Sequence, residues 1–347
     1  MSDNVLDLES RRPRFRLIRA GTLKPRPMDW QIRDLFESDT ILLTVGDPSG
    51  GKSFLMLDMA ASIATGIPFH GRAVKPGPVV YIAGEGHNGI ARRLSAWQIR
   101  RERDLTDAPL YVSEMPASIG DPINTAAVLE AIDDIGEQPA LVVLDTLNRN
   151  MAGDENSTLD MHAFIAACDE IRTAYRCTVG LVHHTGHGDK SRARGSSVLH
   201  GAIDTTLLVE KDAAGIVTVT NTRQKDAPHV DPFSFRFVTV ELGFDNDDGT
   251  PATSAVLDPC GVPESRPKVS GKWQRAALDE LARLFQEHAE RLQLDGRDPT
   301  AARVRRDDWR TSCLDRLGMK ANRFAEAESG LKEKGLVTQE GYYVTPT

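Results

Sequence analysis

Cysteine is scarce in this sequence of 347 residues: there are four, Cys168, Cys177, Cys260 and Cys313, widely spaced and with no C-x-x-C pair. Neither a disulfide framework nor a thiolate zinc site is indicated, which fits a reducing cytoplasmic setting. Aromatics are sparse too, at 6%, so the core has to be built mainly from aliphatic side chains. No apolar run approaches the roughly 20 residues of a membrane-spanning helix, and the opening MSDNVLDLESRRPRF has no apolar signal-peptide core. The expectation is a cytoplasmic protein with no membrane partner. A general excess of positive charge is also missing. The net charge is −8, with seven Lys/Arg against four Asp/Glu in residues 1–30 and fifteen against thirteen in 268–347, which leaves −13 for the middle. Such a chain does not coat nucleic acid indiscriminately; any contact with DNA has to come from local basic loops.

What is present organises into two parts. Hydrophobic residues make up 40% and charged residues 27%, ordinary values for a globular chain, and the length suggests a large core with a smaller appendage. Residues 1–30, with RRPRFR and KPRP, show little periodicity and read as an arm that contacts another subunit or stays solvated. From Ile41 short apolar runs recur, ILLTV (41–45), VVYIA (79–83), ALVVL (140–144) and TVGLV (178–182). Continuous runs of this kind suit strands covered on both faces of a parallel sheet. Between them, Met161, Phe164, Ile165, Cys168, Ile171 and Tyr175 recur at the three-to-four-residue spacing of one helix face. Alternating strand and helix predicts a doubly wound α/β domain over 31–258. Its later part is β-rich, with a hairpin around Asp212-Ala-Ala-Gly215 and a strand at 233–242. The Pro-rich stretch DPCGVPESRPK predicts a linker over 259–271. Beyond it, 272–347 reads as three helices (273–292, 304–317, 320–334) and a short hairpin at Glu340-Gly341, the order of a winged-helix-like domain.

The most specific motif is Gly46-Asp47-Pro48-Ser49-Gly50-Gly51-Lys52-Ser53, a match to G-x-x-x-x-G-K-[ST] with a strand before it and a helical pattern after. The glycines let the backbone wrap phosphates, and its N–H groups together with the helix N-terminus supply positive potential. Lys52 is expected beside the β- and γ-phosphates, and the Ser53 hydroxyl on Mg²⁺, so ATP and Mg²⁺ are the implied ligands. Asp145, ending ALVVLD, is the matching acid for the Mg²⁺ shell. Glu85 follows VVYIAG at the carboxyl end of another core strand, where a carboxylate can orient the attacking water and take its proton. His183-His184-Thr-Gly-His187 invites a metal reading, but no cysteine or carboxylate stands at ligand spacing. A polar residue there can instead sense the γ-phosphate, and the spacing does not choose between His183 and His184. The Gly-rich loop 186–197 carries Lys190, Arg192 and Arg194 and can grip DNA phosphates. Arg223 and Lys225 offer two cations at a strand end, either fingers toward a neighbouring subunit's nucleotide or members of an intramolecular salt bridge.

Taken together, GDPSGGKS, VVYIAGE, LVVLDTLNRN followed by GDENS, LVHHTG and ARGSSVL resemble, in this order, the RepA-type replicative helicases of plasmids and phages, which are hexameric RecA-like ATPases. The resemblance covers about residues 30–240. It implies an α/β RecA-like P-loop NTPase core with a mostly parallel sheet, Lys52 and Ser53 at phosphate and metal, Glu85 as catalytic base, Asp145 as Walker B acid, and His184 rather than His183 as sensor. It also implies a homo-oligomeric ring, a hexamer, on single-stranded DNA. The C-terminal domain lies outside the match and offers either DNA binding or the docking of a partner such as a primase or initiator. One departure matters: where the plasmid helicase carries an arginine assigned to the neighbour's active site, this chain has Asp204, so the finger falls to Arg223 or Lys225.

Overall fold

The computed structural model describes residues 17–84, 86–186, 198–262, 271–294 and 297–346. The chain divides into two compact units, Met1–Pro263 and Glu264–Thr347.

The first unit opens with a small hairpin, β1 (Trp30–Ile32) and β2 (Phe36–Glu37), whose Ile32, Leu35 and Phe36 are fully buried. The apolar run at 41 becomes β3 (Ile41–Gly46) and leads through the glycine-rich loop into α1 (Lys52–Thr65). Next come β4 (Val79–Ala83), α2 (His87–Arg101), the short β5 (Leu110–Val112) and α3 (Pro122–Asp134), the last capped by Asp121 accepting from the Asn124 amide. Then β6 (Leu141–Asp145), a single turn α4 (Leu147–Asn150), α5 (Thr158–Tyr175), β7 (Thr178–His184) and α6 (Val198–Ala202) complete the alternating part. Four antiparallel strands close the unit: β8 (Thr205–Lys211), β9 (Ile216–Gln224), β10 (Phe233–Asp245) and β11 (Pro251–Cys260).

All but the first hairpin join one nine-stranded sheet in the order β11-β10-β9-β8-β3-β7-β6-β4-β5. From β8 to β5 the neighbours run parallel, and β8 to β11 pair antiparallel. The phosphate-loop strand β3 is therefore central, and one strand, β7, separates it from the acid-bearing β6. This is the α/β arrangement with a mostly parallel sheet that the apolar runs predict. Each face carries its own core. Leu42, Tyr81, Val143 and Val182 pack with α1 on one side; Leu43, Ile82, Leu144 and Leu181 pack with α3 and α5 on the other. Burying alternate residues on opposite faces explains why these strands read as continuous apolar runs.

Two expectations shift. The strand expected over 178–182 extends to His184, because His183 and His184 continue its pairing with Val45 and Gly46. Pro259 and Cys260, expected at the opening of the linker, pair with Phe235 and Ser234 instead. A proline is tolerated there because β11 is an edge strand with one side unpaired.

The second unit contains α7 (Lys272–Leu294), β12 (Val304–Arg305), α8 (Arg306–Asp315), α9 (Ala321–Glu333), β13 (Val337–Glu340) and β14 (Tyr343–Pro346), with β14 central in a three-stranded sheet. Its core gathers Leu281, Trp309, Phe324, Leu331 and Val344. The Trp309 indole donates to the Ala277 carbonyl at 2.8 Å, so the ring is buried without orphaning its N–H. Arg306 grips the buried Glu328 with two bonds of 2.6 Å, a bidentate pairing that compensates the carboxylate's desolvation.

Candidate active site

The glycine-rich loop lies at the carboxyl edge of the sheet, between β3 and α1. Its curvature needs very small side chains at specific points. A Cβ on Gly46 would lie 2.2 Å from the Val209 carbonyl oxygen of the neighbouring strand. Because that obstacle is backbone paired in the sheet, it cannot swing aside. Gly46→Ala is expected to cost about 3 kcal/mol of stability, the upper range for forcing extra volume into a packed core; a shift below about 0.5 kcal/mol in denaturant unfolding would contradict this. Ser49 holds φ of 59° and Gly51, the N-cap of α1, φ of 101°, so the backbone turns sharply before the helix.

Lys52 is 5% exposed, and its ammonium donates to the carbonyls of Gly46 (2.9 Å) and Asp47 (2.8 Å). The same nitrogen lies 3.3 Å from His184 Nδ1. Thr185, the residue after, donates its hydroxyl to Asp47 Oδ1 at 2.6 Å. The end of β7 is thus bonded directly to the phosphate loop. His183 goes the other way: it is fully buried, with Nε2 3.9 Å from a carboxylate oxygen of the buried Glu155. Glu155 also accepts from the Asn148 amide at 2.9 Å. Strand alternation is the cause, since Val182 and His184 share one face, Leu181 and His183 the other. Of the two histidines only His184 reaches the loop lysine.

Asp145 ends β6 and is 8% exposed. It accepts a hydrogen bond from the Tyr81 hydroxyl, presented by the adjacent β4. Beyond β4, the Gly84 amide donates to the Asp145 carbonyl oxygen at 2.6 Å, and a Cβ on Gly84 would fall 2.3 Å from Arg149 Cβ. Glycine there lets the chain after β4 close over the end of β6. Glu85, the next residue, lies outside the described residues, as do Lys190, Arg192 and Arg194.

Pro48, Ser49, Gly50, Gly51, Lys52 and Ser53 line a cavity of about 560 Å³, shared with Thr146, His184 and four residues that the motifs did not indicate. These are Phe54, Arg93 on α2, Lys211 at the end of β8, and Phe237 on β10. Phe54 and Phe237 meet edge to face with centroids 5.1 Å apart. The Arg93 guanidinium stands 4.5 Å above Phe54, and the Lys211 amine 5.8 Å from Phe237. A wall of two rings and two cations therefore stands beside the loop. No local spacing announces Arg93, Lys211 or Phe237, because they come from three distant elements. Tyr81 had a signal, being the one polar-tipped side chain in VVYIA, and a buried phenol needs a partner.

The two finger candidates sit toward the opposite edge of the sheet. Arg223 pairs with Thr206, whereas Gly46 pairs with Val209, three residues or roughly 10 Å further along β8. Lys225 bonds Asp204 Oδ1 at 3.2 Å, and Asp204 Oδ2 accepts the Ile41 amide at 2.9 Å. Lys225 is thus held in the intramolecular salt bridge that the sequence left open. Arg223 is exposed and forms no ion pair among the described residues. Also among the described residues, no three His, Cys, Asp or Glu side chains converge as a metal site. A cation here would be of the kind that hard oxygens and substrate phosphates hold together, and Ser53 and Asp145 are such oxygen donors.

A family model described as "AAA domain" matches residues 9–190, a little over half of the chain. Among solved structures, the crystal structure of the RadB recombinase aligns with a TM-score of 0.44 and 15% identity, covering 58% of this chain and 88% of that chain. No helix among the described residues is long and apolar enough to cross a membrane.

Proposed function

The chain belongs to the AAA domain family, and from that premise we propose that it is an ATP-hydrolysing DNA motor, a ring-forming replicative helicase that translocates on single-stranded DNA. The observation that carries the ATPase part is the meeting of three strand ends: the buried Lys52 ammonium is bonded within the loop, lies against His184 from β7, and shares the carboxyl edge with Asp145 from β6. In this reading the loop amides and Lys52 bind the β- and γ-phosphates, and Arg93 and Lys211 add positive potential. Ser53 and Asp145 would hold Mg²⁺, which when bound neutralises charge on the phosphate oxygens. Glu85 accepts a proton from the attacking water as the bond from the γ-phosphorus to ADP breaks. His184, whose ring touches Lys52, registers the γ-phosphate and passes its presence to the loop that follows, where Lys190, Arg192 and Arg194 grip the strand. Arg223 is the cation left to act on a neighbour's nucleotide.

The two histidines give a paired prediction. His184→Ala is expected to lower hydrolysis 10- to 100-fold while leaving stability within about 0.5 kcal/mol. His183→Ala is expected to cost about 2–3 kcal/mol through the cavity and the loss beside buried Glu155. Steady-state hydrolysis and chemical unfolding of both variants check this; equal effects from the two would refute the assignment.

A second reading is favoured by Asp204. With a carboxylate bonded to Ile41 and Lys225 where the plasmid helicase has its arginine, subunit-coupled hydrolysis loses one cation, and the protein would be a regulatory ATPase or recombinase that does not unwind. A third rests on the second unit, whose helix–strand–helix–helix–hairpin order we read as a winged helix; it would make the protein an ATP-gated loader or adaptor. The ATPase rate with and without single-stranded DNA tests the first reading. Stimulation of tenfold or more upholds a DNA track; hydrolysis indifferent to DNA rejects it and moves the function to the other two. A strand-displacement assay then separates helicase from recombinase.

A further inference from the structure

The three-stranded sheet of the second unit turns one face to the core and leaves the other open. Val304 of β12 pairs with Val344 of β14, and both are buried with Trp309 and Leu331. Alternation then puts their neighbours Arg303, Arg305 and Tyr343 on the opposite face. Arg305 pairs with Tyr343, and the Arg303 guanidinium stands 4.4 Å from the centre of the Tyr343 ring. Both arginines are exposed, and neither forms an ion pair among the described residues. Next to Tyr343, at the tip of the β13–β14 hairpin, the Tyr342 side chain is 79% exposed. Its backbone is nonetheless fixed: Gly341 turns with φ of 59°, and the Arg306 amide donates to the Tyr342 carbonyl at 2.9 Å. A ring held out by a fixed turn beside two guanidinium groups is the pairing that binds a nucleic-acid strand, with ring against base and cation against phosphate.

The alternative element for DNA is α9, the helix that a duplex-reading winged helix places in the major groove. Its exposed charges cancel. Lys320 at its N-cap and Arg323 stand against Glu326 and Glu333, and Arg323 is bonded to Glu326 at 2.7 Å. Such a helix offers phosphates no net attraction. The open sheet face carries two cations against one carboxylate, Glu340, which pairs with Tyr343 from the far strand β13. Duplex bases are already stacked on one another and leave no free face for Tyr342, whereas the bases of a single strand do.

We infer that the open face of this sheet is a binding site for single-stranded DNA, in which Tyr342 stacks on a base while Arg303 and Arg305 contact the flanking phosphates. The inference rests on the DNA reading above and gives the second unit a hold on the strand that needs no ATP.

The test titrates full-length protein, without nucleotide, against a fluorescein-labelled oligothymidylate and follows anisotropy. Tyr342→Ala is expected to weaken binding about 10-fold, the size of one lost base stack, while Tyr342→Phe, which keeps the ring, stays within about twofold of the parent. Arg303→Ala/Arg305→Ala is expected to weaken binding too, and to flatten the slope of log affinity against log salt by about 1.4, two phosphate contacts at about 0.7 each. Tyr342→Ala should leave that slope unchanged. The three side chains replaced are exposed, so the fold is not at stake, and circular dichroism checks it. A strand carrying 5-iodouracil should cross-link, on irradiation, to the tryptic peptide 335–347 that holds both tyrosines. Affinity unchanged in these variants, with cross-links confined to the first unit, would overturn the inference and leave the motor reading standing on the loop at 186–197. A duplex bound about tenfold more tightly than the single strand, and lost in Arg323→Ala, would overturn it in favour of a groove-reading helix. A protein that binds neither form of DNA at tens of micromolar, with or without ATP, removes the motor reading and the inference together.

Discussion

Replacing Lys52 with alanine is expected to lower ATP turnover by about 10³-fold, the loss that follows when one preorganised donor to a transition-state charge is removed. The size of the effect follows from burial. The ammonium is 5% exposed and is held by two carbonyls at 2.9 and 2.8 Å. In such a poorly solvated position a positive charge acts on phosphate oxygens far more strongly than it would in water. The fold should survive, since the bonds lost are to carbonyls at the edge of the cavity, worth about 1 kcal/mol each. Hydrolysis measured against the parent, with nucleotide binding followed separately, checks the prediction. Turnover within tenfold of the parent would remove Lys52 from the chemistry.

Glu85→Gln is the second large effect. The amide keeps the size of the carboxylate but cannot accept a proton, so hydrolysis is expected to fall 10²- to 10⁴-fold, while ATP binding stays within about threefold. Its neighbours give the position meaning: Gly84 donates its amide to the carbonyl of Asp145, and α2, which carries Arg93 into the cavity wall, begins at His87. Single-turnover experiments with bound ATP separate the two steps. Parent-like cleavage would sink the base assignment, and a parallel loss of binding would make Glu85 a structural residue of the loop.

The interplay of the two predictions also distinguishes charge from proton transfer. Lys52→Ala is expected to affect both binding and turnover, because a fixed charge is felt by the ground state and the transition state alike. Glu85→Gln is expected to affect turnover alone. A chain in which both variants merely weaken binding would be a nucleotide-gated binder rather than a motor, and attention would pass to the second unit.

Part of this protein was legible in its residues one after another. The phosphate loop, the strand before it and the helix after it are contiguous, so eight residues carry the whole local signal. The four apolar runs announced buried parallel strands because burial on both faces removes polar residues from the run itself. Other elements left weaker marks. Strand β5 is three residues long and only partly buried, and β11 opens on Pro251 and carries Pro259 before its last residue, so neither had a pattern to find.

The adjacent histidines mark the boundary between the two kinds of information. Sequence alone determined that two imidazoles stand at the end of a core strand, but not which face each occupies, since that depends on register with neighbouring strands. Tertiary structure decided it, sending His184 to Lys52 and His183 to Glu155. It decided in the same way that Lys225 is held by Asp204, and that Arg93, Lys211 and Phe237 share a wall with the loop. Contiguous residues dictate backbone path and burial; contacts between residues some twenty to more than a hundred positions apart, such as Lys225–Asp204 and Lys52–His184, exist only once the sheet has fixed its strand order.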